Sequence, residues 1–396
     1  MDEAYENPHI CPTTTPGNYS GLEMTTHIGP FAGLIYFSDL SLRAVAPMVA
    51  MTFIEYVDYL DDITYLNDIA YSIVDAVGDF LLSYVTFNST DGVSHILNAC
   101  AQEICGGGPE SEDDPHHTIA FAKTVFSALL RWSLILNRDE NKRPLWTNVR
   151  ATLSSYPIGT NSFGDTVWLE AKDTQQYFGS NMAGYPIVYT AALHPANDIS
   201  LSSNPLDVTI GCNTVLSVAN VSHWHPLNGL CMAWPPVTRC AGNVIAATII
   251  DGFEDALMAT MNPNFYPDLG GGGIEQAGAS EGINSILLQS QEGFIRFFPM
   301  MPYDENASFS NIRARGAFLV SASWINGTVV TPVSIKATSS RNVNCSFLTP
   351  WMGMTPKVID VFSNVTIPIF KDTTAPIPNV WMFVGESGKE YALYSS

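Results

Sequence analysis

The sequence predicts a mainly helical protein with a β tail. An array of helical hairpins, open or closed into a toroid, is expected over residues 43–292, behind an irregular segment at 1–42. An antiparallel β-sandwich domain is expected over 293–396. Three observations lead there. Apolar residues recur at three- and four-residue spacing through most of 43–290. After about residue 292 the period changes to strand-like alternation. Asn326-Gly327 separates two alternating runs and is the strongest short hairpin signal in the chain.

Residues 1–40 are rich in Pro, Gly and Thr and show no period. From Asp62 to Phe87, Leu66, Ile69, Ile73, Val77, Phe80 and Tyr84 form one apolar stripe, with Asp68, Ser72, Asp75 and Asp79 opposite. Thr118–Asn137 is a second helix, with Ile119, Ala122, Val125, Phe126, Leu129 and Leu130 inward. Pro144 opens a third near Leu145–Leu153, where a missing N–H costs nothing. Thr238–Ile250 and Phe253–Met261 read as two helices turned at Asp251-Gly252. Ser280–Ser290 is the last helix. Strands are expected at Phe294–Phe298, Ala317–Trp324, Val329–Ala337, Asn344–Leu348 and Val380–Val384.

Composition narrows the class. The chain carries 38 acidic and 17 basic residues, a formal charge of -21, which repels phosphate and argues against nucleic-acid binding. An apolar fraction of 46% is not that of a disordered chain. No uninterrupted run reaches the roughly 20 apolar residues of a membrane-spanning helix, so no membrane span is expected. Glycosylation sequons begin at Asn18, Asn88, Asn220, Asn306, Asn326, Asn344 and Asn364, which suggests a secretory or extracellular protein. Met1–Pro8 is acidic and cannot be a signal peptide, so either the protein is cytosolic with idle sequons or, the favoured expectation, the chain is the C-terminal part of a longer secreted one. The seven cysteines include no Cys-x-x-Cys, so disulfides are favoured over zinc. Cys100 with Cys105 and Cys231 with Cys240 are the local candidates, and one cysteine is left over.

Several residues could carry chemistry. Gly270–Gly273 precede Ile274-Glu275-Gln276 and a helix, without the Lys-Ser/Thr of a phosphate loop. Glu275 is therefore either a presented catalytic carboxylate or a cap on the positive helix end. Trp168, Glu170, Asp165 and Asp173 place carboxylates beside an aromatic ring, as glycoside cleavage needs, or are the solvated acids of a helix start. His223 and His225 flank Trp224 without a third metal ligand, and a plain loop is the simpler reading. Glu110, Glu112, Asp113 and Asp114 with His116 and His117 lack a calcium-loop pattern and read as a solvated loop. There is no Gly-x-Ser-x-Gly elbow.

Ile283–Pro302, INSILLQSQEGFIRFFPMMP, followed by Ala307–Ala322, ASFSNIRARGAFLVSA, resembles the junction between catalytic and C-terminal domains in glycoside hydrolase family 95. Asp61–Phe80, Ala192–Ser200 (ALHPANDIS) and Tyr266–Leu269 (YPDL) resemble further segments in the family's order. The resemblance implies an (α/α)6-barrel-like toroid, incomplete here, and inverting α-L-fucosidase chemistry on a carbohydrate partner, with no metal and no cofactor. Glu275 falls, within one residue, at the family's catalytic aspartate and would assist the attacking water. The family's acid precedes a tryptophan, where this chain has Val167, so Glu170 is the nearest substitute. Inversion would set the two carboxyls ~6.5–9.5 Å apart. Trp168, His225 and Trp234 are candidates for lining the sugar site. The family's water-positioning asparagine pair and N-terminal β-sandwich have no match. A non-catalytic glycan-binding or wall protein of the same fold is the alternative, and a helical-toroid phosphorylase a third reading.

Overall fold

The computed structural model describes residues 19–22, 43–101, 112–172, 174, 188–222, 224, 230–242, 244–264 and 278–395. The chain divides into two compact units. Unit 1 holds Met1–Glu55, Ile63–Phe178 and Pro186–Asp198; unit 2 holds Tyr56–Asp62, Gly179–Tyr185 and Ile199–Ser396. Helix α1, Val45–Leu60, contributes to both.

Unit 1 is built on helices α2 (Ile63–Tyr65), α3 (Tyr71–Tyr84), α4 (His116–Leu136) and α5 (Arg143–Thr152). The last three pack on one another. The expected stripe from Leu66 is altered by a π-helical stretch at Leu66–Ala70. Its wider turn delays the return of the buried face, so Ala70, Tyr71 and Val74 lie inside while Ile69 is turned out. Helix α4 starts two residues before the expected Thr118 and ends on Asn137 in the left-handed region (φ 51°). Pro144 sits in the first turn of α5, and Trp146 is that helix's buried residue. Short antiparallel pairs join β1 (Thr86–Asn88) to β2 (Val93–His95) and β3 (Ile158–Thr160) to β4 (Thr166–Trp168). None of these strands was legible in the helical pattern.

By length and composition α4 is apolar enough to cross a membrane. Lys123 and Arg131 interrupt it, so a search for uninterrupted apolar runs passes it over. In the structure Ile119, Phe121, Val125, Phe126, Leu129 and Trp132 are buried within unit 1.

Unit 2 holds α6 (Pro205–Ser222), α7 (Leu230–Val237), α8 (Ala246–Thr260) and α9 (Gly278–Leu287). Helix α7 packs on α6 and α9. Cys240, just past α7, is bonded to Cys212 in α6 with Cα atoms 5.5 Å apart. The Cys231–Cys240 pairing is thus overturned: two helices packed side by side bring together residues 28 apart in sequence. Cys100 is also disulfide-bonded. Cys105 lies outside the described residues. Cys345 is free and buried. The turn expected at Asp251-Gly252 is absent, because α8 runs straight through it. Gly252 serves close approach instead: a Cβ there would meet Trp224 Nε1 at 2.5 Å.

After the β5–β6 pair (Leu288–Gln289, Arg296–Phe297), the strands are β7 (Ala307–Ala314), β8 (Phe318–Ile325), β9 (Thr328–Ala337), β10 (Val343–Leu348), β11 (Pro356–Asp360), β12 (Thr366–Ile367), β13 (Phe370–Lys371), β14 (Val380–Gly385) and β15 (Glu390–Ser395). A six-stranded sheet has the order β12-β11-β15-β9-β8-β7, and a three-stranded one β10-β14-β13. Both are antiparallel and share one core, in which Phe347 and Phe383 from one sheet meet Val320, Ile335, Val358 and Leu393 from the other. The Asn326-Gly327 hairpin forms as expected, both residues at positive φ (49° and 78°). Pro332 sits where the β8–β9 register shifts, at a point where a ladder N–H is dispensable. Strands β7, β11, β12, β13 and β15 escaped the sequence reading; β7 is half exposed and polar.

The end of α1 is fastened to this β region. Arg315 pairs with Asp58 (3.2 Å), and the Gly316 N–H donates to the Asp58 carbonyl (2.7 Å). Arg341 and Ser339 both donate to Asp61 (2.6–2.8 Å).

Closing a loop of this length in the unfolded chain predicts that Cys212→Ser destabilises by roughly 3–4 kcal/mol. Denaturant titration of the variant measures the loss. Non-reducing peptide mapping should recover Cys212 joined to Cys240; a Cys231–Cys240 peptide would refute the pairing.

Candidate functional site

The residues proposed for catalysis and sugar contact fall into both units. Glu275 and His225 lie outside the described residues, as do Asp173 and His223. Trp168 and Glu170 belong to unit 1, and Trp234 belongs to unit 2.

Strand β4 delivers Val167 and Trp168, both buried at 0% and 1% exposure. Glu170 follows at 7% exposure, and its backbone carbonyl accepts the His116 N–H at 2.7 Å, the first residue of α4. The start of α4 is thereby closed by chain rather than by solvent. Trp168 and Tyr156 pack on the His116 ring, with centroids at 4.8 and 4.5 Å. The Tyr156 hydroxyl donates to Asp198 at 2.6 Å, and Lys123 Nζ stands 4.1 Å from the Tyr156 ring centroid. Lys123 also pairs with Asp198 at 3.4 Å. Trp168 is therefore one wall of a closed aromatic cluster, and its faces are occupied.

Burial sets the electrostatics. His116 Nε2 accepts the Ala192 N–H (3.4 Å), which assigns the ring proton to Nδ1; among the described residues Nδ1 has no partner. Desolvation, with smaller contributions from His117 and Lys123, pushes the His116 pKa well down. Burial alone lowers His117 to about 3, and neither of its ring nitrogens has a partner among the described residues. Both histidines are neutral at physiological pH. Burial first, and the nearby Glu170 charge second, push the Tyr189 phenol well above its ordinary value. Its hydroxyl is buried without a partner among the described residues.

Within the acidic run before α4, Asp114 departs from the solvated loop expected from sequence, whereas Asp113 is exposed and Glu110 lies outside the described residues. Asp114 is 3% exposed. It accepts hydrogen bonds from the Ile96 N–H (2.9 Å) and the His95 ring (2.6 Å). Asp113 accepts the Asn98 N–H (3.1 Å), and Glu112 the Ala101 N–H (2.8 Å). The Ile96 N–H and the His95 ring draw Asp114 inward, while Glu112 is half-buried and Asp113 stays exposed. Among the described residues no cluster of His, Cys, Asp and Glu could hold a metal ion. Asp165, by contrast, stays exposed in the β3–β4 turn.

In unit 2, Trp234 is fully buried and stacks on Phe253 of α8 (3.9 Å, 8° between planes). Its indole N–H donates to the Trp224 carbonyl at 2.8 Å. A Cβ on Gly282 of α9 would meet Trp234 Cβ at 2.7 Å, so glycine is what lets α9 close on α7. Trp234 packs the helices of unit 2. His116 and His117, read from sequence only as part of a solvated loop, are buried, and Tyr189 was not singled out; the polar residues inside an otherwise apolar helix start were the available signal.

No protein-family model matches the chain, and no curated protein matches it. Among solved structures it is similar to a protein assigned as a kojibiose phosphorylase, from human microbiome. The identity is 10% and the TM-score 0.43, over 76% of this chain and 47% of that one. It is also similar to the Streptomyces avermitilis α-L-rhamnosidase complexed with L-rhamnose, at 11% identity and TM-score 0.41, over 88% of this chain and 32% of that one. A third is the GH127 β-L-arabinofuranosidase of Geobacillus stearothermophilus T6, at 10% identity and TM-score 0.25, over 88% and 53%. The chain spans about half or less of the length of these proteins. Likeness at such scores carries no argument about activity, and the resemblance to family 95 rests on the sequence segments alone.

The two histidines make stability pH-dependent. Both folded pKa values lie below the unfolded value of about 6.5, and for His117 the unfolded chain binds more protons between that pH and about 3. Stability is therefore full above pH 6.5 and falls as pH drops through this window. Between pH 7 and pH 5 His117 should remove about 2 kcal/mol, and His116 acts in the same direction. Urea titrations across that range should show a shallower slope in His117→Gln; an unchanged slope would show that His117 titrates normally.

Proposed function

We propose that the chain is a glycoside hydrolase-like protein acting on a terminal glycoside, α-L-fucoside or a relative, with its helical hairpins set as a toroid and its two C-terminal sheets as a β-sandwich. One observation carries the reading. Residues 283–322, the block that resembles family 95, run from α9 through the β5–β6 pair into β7 and β8, the passage from helical to β structure that the resemblance implies. In this reading Glu170 protonates the leaving oxygen and Glu275 assists water on the opposite face, with inversion. The substrate is an oligosaccharide or cell-wall glycan, and no metal or cofactor takes part.

A specific observation favours a second reading, a glycan-binding protein that has lost the acid. The family's acid position holds Val167, which is fully buried, and Trp168 beside it presents no free face to a sugar. Release of nitrophenol from an aryl α-L-fucoside separates the two. If Glu170 and Glu275 act, Glu170→Gln and Glu275→Gln each lower kcat by about a hundredfold or more. Turnover no higher than that of Glu275→Gln in the parent chain favours the binding reading. Turnover that requires inorganic phosphate would point to the phosphorylase instead.

The secretory reading is also part of the proposal. Five sequon asparagines with described side chains, Asn88, Asn306, Asn326, Asn344 and Asn364, are all exposed. Secreted from a eukaryotic host, the protein should lose the mass of several N-glycans on amidase treatment. An unchanged mass would remove that support.

A further inference from the structure

Within unit 2 a cavity of about 370 Å³ lies against α9 and β7. Tyr59, Arg239, Glu281, Asn284, Asn311 and Arg313 contribute to its wall. None of these was singled out by sequence. Its size is near the lower end of ligand clefts, which suits one small molecule rather than an extended chain.

The unusual member is Arg239. It is 3% exposed, and burial lowers its pKa only to about 10, so it is charged at neutral pH. Its side chain makes one hydrogen bond among the described residues, from Nη1 to the Thr238 hydroxyl at 3.3 Å, and its Nε has no partner there. The Glu281 charge acts on it through space, but no carboxylate hydrogen-bonds it among the described residues, and a buried guanidinium so placed is costly. The nearby acids make their hydrogen bonds elsewhere, although Glu281 still acts on Arg239 by its charge. Glu292 is held by Arg296, Ser200 and Ser202. Asp58 pairs with Arg315, and Glu281 accepts from Ser285 at 3.1 Å.

The rest of the wall adds to this. Arg313 is a second cation, so two of only 17 basic residues converge here in a chain of net charge -21. A bulge in β7 between Phe309 and Ile312 sets Asn311 at positive φ (58°) on the wall. Asn284 is exposed on α9. Two amides of this kind suit hydroxyl groups. With Glu281 counted as charged, the wall carries one net positive charge, which favours a monoanion over a dianion.

We propose that this cavity is a binding site for a small hydroxylated monocarboxylate, the class to which sugar acids belong, with Arg239 and Arg313 receiving the carboxylate and Asn284 and Asn311 the hydroxyls. The site does not depend on whether Glu170 and Glu275 are catalytic.

Calorimetric titration of the full chain at low salt with D-glucuronate, D-glucose and inorganic phosphate tests it. Glucuronate should bind at least about tenfold more tightly than either of the others, as expected for a charge-assisted pair in a partly closed site. Arg313→Gln should weaken glucuronate by about three- to tenfold and Glu281→Gln should tighten it, since a like charge is removed. Asn284→Ala, at an exposed position, should weaken it with far-UV dichroism unchanged, which keeps the test valid if an arginine variant misfolds. Glucuronate binding no better than glucose or phosphate, no binding at all, or binding indifferent to all three folded variants would overturn the assignment.

Discussion

Two aspartates at the end of α1 fix much of what unit 2 can be. Asp58 and Asp61 pair with Arg315 and Arg341, partners more than 250 residues away in sequence. The Asp58 carbonyl also takes the Gly316 N–H, so the contact is with backbone as well as side chain. Arg315 lies over the Tyr59 ring at 5.6 Å. Partly buried pairs of this kind, tied down by further hydrogen bonds, constrain geometry more than they add stability. They hold Tyr59 at the cavity wall and set the turn between β7 and β8 against the end of α1.

Unit 1 depends on a different constraint, the burial of polar groups at the start of α4. His116, His117 and Thr118 are enclosed where a helix start usually meets water. The Glu170 carbonyl and the Ala192 N–H satisfy part of this polarity, and the rest is left without a described partner. Unmet buried polarity of this kind is costly. Its presence beside Trp168 and Glu170 is the strongest reason to regard that cluster as more than packing. Trp168 itself is enclosed, packed against His116 and Tyr156.

Local irregularities do much of the placing. The π stretch at Leu66–Ala70 turns Ile69 outward, and the β7 bulge brings Asn311 to a cavity. Gly252 and Gly282 matter through their missing Cβ atoms, which admit Trp224 and Trp234. A sequence pattern treats such positions as noise or as turns, because periodicity averages over several residues.

What the sequence determined by itself was local. Amphipathic spacing marked α3, α4 and α9, Pro144 marked the start of α5, and Asn326-Gly327 marked the β8–β9 hairpin. Each depends on residues a few positions apart. Only the tertiary structure decided that Cys240 pairs with Cys212, that Asp114 turns inward to His95 and that Trp234 packs helices. It alone brought Arg239, Glu281 and Arg313 to one cavity. The reason is that burial and charge pairing depend on which distant segment a side chain meets, and nothing in a residue's near neighbours specifies that meeting.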